Sequence, residues 1–163
     1  MPRLPEPLRR LRSAVAQALG LVLRAFEPAT LRLQRFACEV RARSLLHGPI
    51  SPGVQFIGPI HREGVGRVRI GPGTRIGRNV FFETYGDAEI VIGARVTIND
   101  GCVLVAYAGI AIGDDTMIGE YTSLRDANHG IAPGTPVHAQ PHVAQPVSIG
   151  RDVWLGRGVV VLK

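Results

Sequence analysis

A six-residue period running from about residue 50 to the end constrains this chain more than any other feature. Segments beginning at Ile70, Ile76, Ile92, Ile98, Ile112, Ile118, Ile149 and Leu155 read IGPGTR, IGRNVF, IGARVT, INDGCV, IGDDTM, IGEYTS, IGRDVW and LGRGVV. All eight open on Ile or Leu, and seven of the eight carry Gly second. The fifth positions, Thr74, Val80, Val96, Cys102, Thr116, Thr122, Val153 and Val159, are all small or β-branched. A weaker copy, ISPGVQ, opens at Ile50. An α-helix cannot use this pattern, because six residues drift against a period of 3.6 and each interior Gly costs about 1 kcal/mol relative to Ala. Short strands that turn a corner every six residues can. The leading aliphatic then fills the interior of a prism, β-branched residues suit its flat sides, and Gly is expected to serve the corners by tolerating unusual φ.

Three hexads make one triangular coil of roughly 18 residues. The starts Ile50, Ile70, Ile92 and Ile112 lie 20, 22 and 20 residues apart, and the next, Ile149, follows after 37. One coil therefore carries an insertion, taken as residues 130–146, within the stretch RDANHGIAPGTPVHAQPHVAQPV. Its prolines cannot donate to a sheet ladder and fix φ, which suits an excursion from the prism. Loops of this length in compact domains are usually functional or disordered.

The formal charge of +6 divides unevenly. Residues 1–50 hold nine arginines against Glu6, Glu27 and Glu39, while residues 51–163 balance. The basicity thus belongs to a segment, residues 1–47, in which Leu8, Leu11, Val15, Leu19, Val22 and Phe26 recur at helical steps. Pro28 is expected to split it into helices over about 7–26 and 29–46. A cap packed on the first coil and a basic face resting on an anionic membrane are both compatible with that pattern. Nucleic acid is not expected as a partner, since no aromatic interleaving or binding motif accompanies the charge. Cys38 and Cys102 lack the spacing of a disulfide framework or zinc site and fit a reducing compartment. The longest uncharged run near the N-terminus, Ser13–Leu23, is too short to span a bilayer.

Beyond the period, DANHGI followed by a Pro-rich loop and QPVSIGRDVWLGRGVVVL resembles the hexapeptide-repeat acyltransferases, most closely the bacterial polysaccharide O-acetyltransferases and more distantly the galactoside and maltose O-acetyltransferases. The resemblance covers residues 48–163. It implies an all-β fold, a left-handed parallel β-helix behind the N-terminal helical segment, and a homotrimer with active sites between adjacent prisms. It also implies acetyl-CoA as acyl donor, a carbohydrate hydroxyl as acceptor, and a cytoplasmic setting at or near the inner face of the membrane.

On this resemblance His129 matches the general base. A sugar hydroxyl is a poor nucleophile at neutral pH, and a largely neutral imidazole can take its proton as attack begins. The backbone N–H of Arg157 matches the donor to the tetrahedral oxyanion. Asn99, the one second position that is not Gly, matches a contact to the acceptor; a left-handed corner explains an asparagine there equally well. Asp126 and Asn128, three and one residues before His129, are further candidates either for orienting its imidazole or for binding acceptor hydroxyls, with side-chain alternation turning Asn128 away from His129 if the strand persists. Trp154 and Gly156 are candidates for the coenzyme groove. The insertion is expected to cross the subunit boundary and enclose the acceptor.

His138 and His142, as HxxxH near His129, raise the gamma-class carbonic anhydrases, which share the β-helix; their zinc ligands sit on the coils, however, and here both histidines fall in a loop, so no metal is expected. Ala106 stands where galactoside and maltose enzymes carry an acidic residue. The coil opened by Ile149 has 15 residues before Lys163, so the chain is expected to be truncated relative to its family. A noncatalytic β-helix scaffold is the rival reading.

Overall fold

A computed structural model describes residues 5–163, without the side chains at 9–11, 23, 25, 27 and 28. One helix, α1 (Glu6–Leu45), precedes the strands. The first coil carries β1 (Gln55–Phe56), β2 (Ile60–Gly64) and β3 (Arg67–Ile70); the second β4 (Arg75–Ile76), β5 (Val80–Thr84) and β6 (Glu89–Ile92); the third β7 (Thr97–Ile98), β8 (Val103–Ala106) and β9 (Ile110–Ile112). The fourth carries β10 (Met117–Ile118) and β11 (Ser123–Arg125), leaves the prism through β12 (Ala127–His129), returns through β13 (His142–Ala144), and closes with β14 (Val147–Ile149). Then come β15 (Trp154–Leu155) and β16 (Val160–Leu162).

Strands stack in three parallel sheets, one per face: β1-β4-β7-β10-β15, then β2-β5-β8-β11-β16, then β3-β6-β9-β14. This is the left-handed parallel β-helix that the resemblance implies. Register follows the hexads. Ile50, Ile70, Ile92, Ile112 and Ile149 stand one above another on the third face, and the 37-residue step pairs as cleanly as the shorter ones. Phe56, Ile76, Ile98, Ile118 and Leu155 form the corresponding column on the first face. These columns are the core: Phe56, Ile70, Ile76, Ile92, Ile98, Ile112 and Ile118 are almost wholly removed from water, and the end members Ile50, Ile149 and Leu155 are partly buried.

The glycines serve a different purpose from the one expected of them. Left-handed φ falls at the fourth position of each hexad, at Gly73, Asn79, Arg95, Gly101, Asp115, Tyr121, Asp152 and Gly158, most of which are not glycine. The second-position glycines have ordinary φ, and Gly71, Gly77, Gly93, Gly113 and Gly119 lie against the next coil. A Cβ on Gly113 would stand 2.6 Å from the Gly150 carbonyl carbon, and one on Gly119 would stand 2.6 Å from the Arg157 nitrogen. Close stacking of backbones, not corner torsion, selects Gly there. The fifth positions knit the same joints: Thr74, Thr116 and Thr122 donate hydroxyls to the carbonyls of Gly93, Gly150 and Gly156 (2.8, 2.9 and 3.1 Å). The Cys102 thiol does likewise to Gly119 (3.1 Å). Burial raises the Cys102 pKa, so its thiol stays protonated. It follows that Gly113→Ala destabilises by about 2–3 kcal/mol through forced backbone separation, whereas Gly73→Ala, whose Cβ would meet only the flexible Arg95 side chain at 3.4 Å, costs only about 1 kcal/mol of torsional strain. Urea denaturation of the two variants checks the order.

The helix also departs from expectation. Its backbone remains helical through Pro28, where the sequence predicts a break. A proline inside a helix forfeits one hydrogen bond and costs about 3 kcal/mol, and the helix formers on both sides carry the helix through it. The described residues up to Phe36 and those from Ala37 to Lys163 form separate compact units. In the second, Ala42 and Leu46 are buried in the core, Cys38 and Leu45 pack against it, and Arg43 pairs with Glu39 while donating to the Ile50 carbonyl (3.2 Å). In the first, Leu8, Val15, Leu19, Val22, Phe26, Leu33 and Phe36 are all exposed. No helix of the described residues is long and apolar enough to cross a membrane.

Candidate active site

Asp126 determines how the chain leaves the prism. Its side chain is fully buried, and its carboxylate accepts three backbone N–H bonds, from Tyr107 (2.7 Å), Ala108 (2.7 Å) and Gly109 (2.6 Å). These are the residues that turn the third coil from its second face to its third. The Asp126 backbone closes the neck of the excursion, its N–H donating to Val105 (3.3 Å) and its carbonyl accepting from Gln145 (2.8 Å). Asp126 therefore faces away from solvent and from any acceptor, contrary to the role considered for it above. A carboxylate bonded to three amides organises backbone.

The insertion is not a free loop. It folds back as a hairpin whose return strand pairs antiparallel with the strand bearing His129: Ala127 opposite Ala144, Asn128 opposite Val143, His129 opposite His142. Gln140 fastens its tip, accepting from Ala132 N–H (2.7 Å) and donating to the carbonyls of Ala132 (3.0 Å) and Thr135 (2.7 Å). His138 lies exposed in the turn Val137–Ala139.

This hairpin walls one side of a recess of about 510 Å³ at the edge where the second face meets the third, lined by Glu83, Tyr85, Val105, Tyr107, Arg125, Ala127, Asn128, His129 and His142. His129 is exposed within it. Asn128 lines the recess beside His129 instead of pointing away, because β12 is three residues long and has peeled off the flat face. Four rings stand in sequence along one side. Tyr85 stacks on Tyr107 (centroids 3.8 Å, planes 16° apart), Tyr107 on His142 (4.5 Å, 29°), and His142 lies against His129 (4.3 Å, 44°). Glu83, hydrogen-bonded to the Tyr85 hydroxyl, and Tyr107 beside it push the Tyr85 pKa above the usual phenol range, so Tyr85 is a donor there and not a base. Among the described residues no group of three or more His, Cys, Asp or Glu is placed to hold a metal ion.

The other candidates occupy the opposite edge of the second face. Asn99 follows β7, and Gly156 and Arg157 follow β15, all at the corner between first and second faces. Asn99 has no left-handed φ, so a corner torsion does not account for it. The Arg157 guanidinium lies over the Tyr121 ring, 5.4 Å from its centroid. Trp154, in register with Met117 and 76% exposed, stands on the first face. At about 3.3 Å of rise per strand residue, the two edges are roughly 15 Å apart. One chain does not bring His129 and Arg157 together.

No family model matches the chain, and no solved structure does. Named proteins do. Nodulation protein L of Rhizobium meliloti (strain 1021) is 40% identical over 103 residues, which is 62% of this chain and 52% of that protein. In repeat and fold, this chain is similar to the hexapeptide-repeat acyltransferases. Nodulation protein L of Rhizobium leguminosarum bv. viciae is 41% identical over 76 residues, 45% of this chain and 38% of the relative. A protein of Escherichia coli (strain K12), provisionally named lipopolysaccharide biosynthesis O-acetyl transferase WbbJ, is 27% identical over 112 residues, 64% of this chain and 57% of its own. The chain thus spans about half the length of these relatives. His142 was considered in the sequence only as a metal ligand, and Tyr85 and Tyr107 went unnoticed, although the two tyrosines are separated by 22 residues, the spacing at which the ladder stacks one coil on the next.

Proposed function

We propose that this chain belongs to the hexapeptide-repeat acyltransferases and takes part in acetyl-CoA-dependent O-acetylation of a carbohydrate hydroxyl in cell-surface polysaccharide synthesis, acting as a homotrimer. One observation carries the reading: an exposed imidazole, His129, stands at one prism edge, and the candidate oxyanion donor and coenzyme residues stand at the other. Side-by-side prisms bring the two edges into one cleft. His129 takes the acceptor proton as the hydroxyl oxygen forms its bond to the thioester carbonyl carbon. The backbone N–H of Arg157 from the adjoining prism meets the oxyanion, the C–S bond breaks, and the proton passes from His129 to the departing thiolate. Such a donor contributes on the order of 3 kcal/mol. Asn128 and Arg125 line the recess on the acceptor side of that cleft, and Trp154 with Gly156 of the adjoining prism form its coenzyme side. No acyl-enzyme is needed, and Cys102 is sealed in the core. Relatives named for nodulation and for lipopolysaccharide O-acetyl transfer support the carbohydrate acceptor. Thiol release from acetyl-CoA is measured against a panel of sugars and nucleotide sugars; release with none of them favours the scaffold reading.

The N-terminal helix belongs to the same picture as a peripheral anchor on an anionic bilayer. Leu8, Val15, Val22 and Phe36 fall on a seven-residue step, with Leu19, Phe26 and Leu33 alongside, and all are exposed. Arg24, Arg32 and Arg35 flank or oppose that stripe, and Arg12 extends its Leu19, Phe26 and Leu33 row toward the N-terminus. Identical helices would set like charges against one another, whereas an anionic surface attracts each by about 1 kcal/mol. The protein is expected to sediment with vesicles containing phosphatidylglycerol, to be released by about 0.5 M salt, and to ignore pure phosphatidylcholine. Equal recovery on both vesicle types, or on neither, contradicts the anchor.

A further inference from the structure

We propose that His142 is a positioning residue for His129, and that the insertion exists in part to deliver it. The proposal rests on the reading of His129 as the general base. An exposed histidine on a three-residue strand has two side-chain torsions and little to restrain them, yet proton transfer requires its nitrogen within a few tenths of an ångström of a set place. The structure supplies the restraint from outside the prism. His142 sits opposite His129 in the antiparallel ladder, and their ring centroids are 4.3 Å apart. His142 is itself backed by Tyr107 at 4.5 Å, and Tyr107 by Tyr85 at 3.8 Å. The base of this column is fixed, because the turn bearing Tyr107 is bonded to the buried Asp126 carboxylate at 2.7 Å. Its far side is fixed too, since the Gly130 N–H donates to Pro141 (3.0 Å) next to His142. The ring face of His142 carries the effect. Its one polar contact within the column, between Nε2 and the Tyr107 hydroxyl, is 3.4 Å long, at the outer limit of a hydrogen bond.

This distinguishes the consequences of substitution by ring and by polarity. In acetyl transfer assays, His142→Ala should lower kcat about 10- to 100-fold, as a displaced catalytic group does, with KM changed less than about 2-fold. His142→Phe, which keeps the ring, should recover to within about 3-fold of the parent, while His142→Gln, which keeps a polar group without the ring, should not. Tyr107→Phe should behave as the parent and Tyr107→Ala as His142→Ala. An activity-independent readout accompanies these: the His129 Hε1 resonance should lose its ring-current shift in His142→Ala and retain it in His142→Phe. Unchanged kcat in His142→Ala, a change confined to KM, or a His142→Phe as impaired as the alanine variant overturns the proposal. His129→Ala, assayed alongside, separates the two failures. Full turnover in that variant defeats the general-base reading, whereas an inactive His129→Ala beside a fully active His142→Ala defeats the positioning role alone. If the alanine variants do not fold, the phenylalanine and glutamine variants and the Tyr107→Phe chain still decide between ring and polar group.

Discussion

His129→Ala is expected to lower turnover of acetyl-CoA with a carbohydrate acceptor by about 10²- to 10⁴-fold while leaving the melting temperature unchanged. The magnitude is that of a positioned general base. Without the imidazole, the alcohol must shed its proton to water as it attacks, and the partial alkoxide forms at greater cost. The stability expectation follows from placement: the side chain is exposed, outside the aliphatic columns, on a short strand beyond the flat face. A stopped thiol-release assay with a thermal melt on the same sample separates the two quantities. Loss of activity together with a large drop in melting temperature would contradict a chemical role, as would full activity.

Asp126→Ala should have the largest effect on the fold of any single polar substitution, about 3–5 kcal/mol in urea denaturation. Three amides at 2.6–2.7 Å would lose their acceptor at a site with no solvent access. Each buried donor left unmade costs about 1–3 kcal/mol, and bonds to an ionised group lie at the upper end of hydrogen-bond strengths. Against a total stability of about 5–15 kcal/mol for a domain, that is a large share. Asp126→Asn keeps one oxygen but turns an N–H₂ toward other N–H donors, so an intermediate loss is expected. A cost below about 1 kcal/mol for the alanine variant would mean that the turn at residues 107–109 finds other partners. Because that turn also carries Tyr107, the same substitution should disturb the rings behind His129, and activity should fall even where the chain remains folded.

The prism was legible in the sequence because its cause is local and repeated. An aliphatic at every sixth residue fills one column per face, and the columns through Ile70 and Ile76 appear in the structure in the register that the spacing predicts. The reason for the glycines was not legible, since close approach of two backbones some 20 residues apart leaves the same residue preference as an unusual torsion. The fourth positions, where the torsion does fall, conceal it behind Asn79, Arg95, Asp115 and Tyr121. The site was read in part. His129 stood out through its motif, and the structure places it in a recess. His142 was weighed only as a metal ligand beside His138, because nothing in a proline-rich loop signals that the two histidines that meet are 13 residues apart across a hairpin. Asp126 looked like a group that orients the base or contacts the acceptor because a carboxylate near a base invites those roles, and nothing in the linear sequence signals that three amides would turn toward it. Pro28 misled in the other direction, its penalty outweighed by the flanking helix formers.

The pairing of Ile112 with Ile149 as though nothing lay between them has a consequence for how such chains change over generations. Once a corner is tied at its neck, here by Asp126 and Gln145, the stack of rungs is indifferent to what hangs from it, and the entropy of closing a longer bow rises only by about 0.6 kcal/mol per doubling. Selection can therefore rewrite the bow while the rungs stay constant, and acceptor preference can diversify at this one corner without renegotiating the scaffold that supports it.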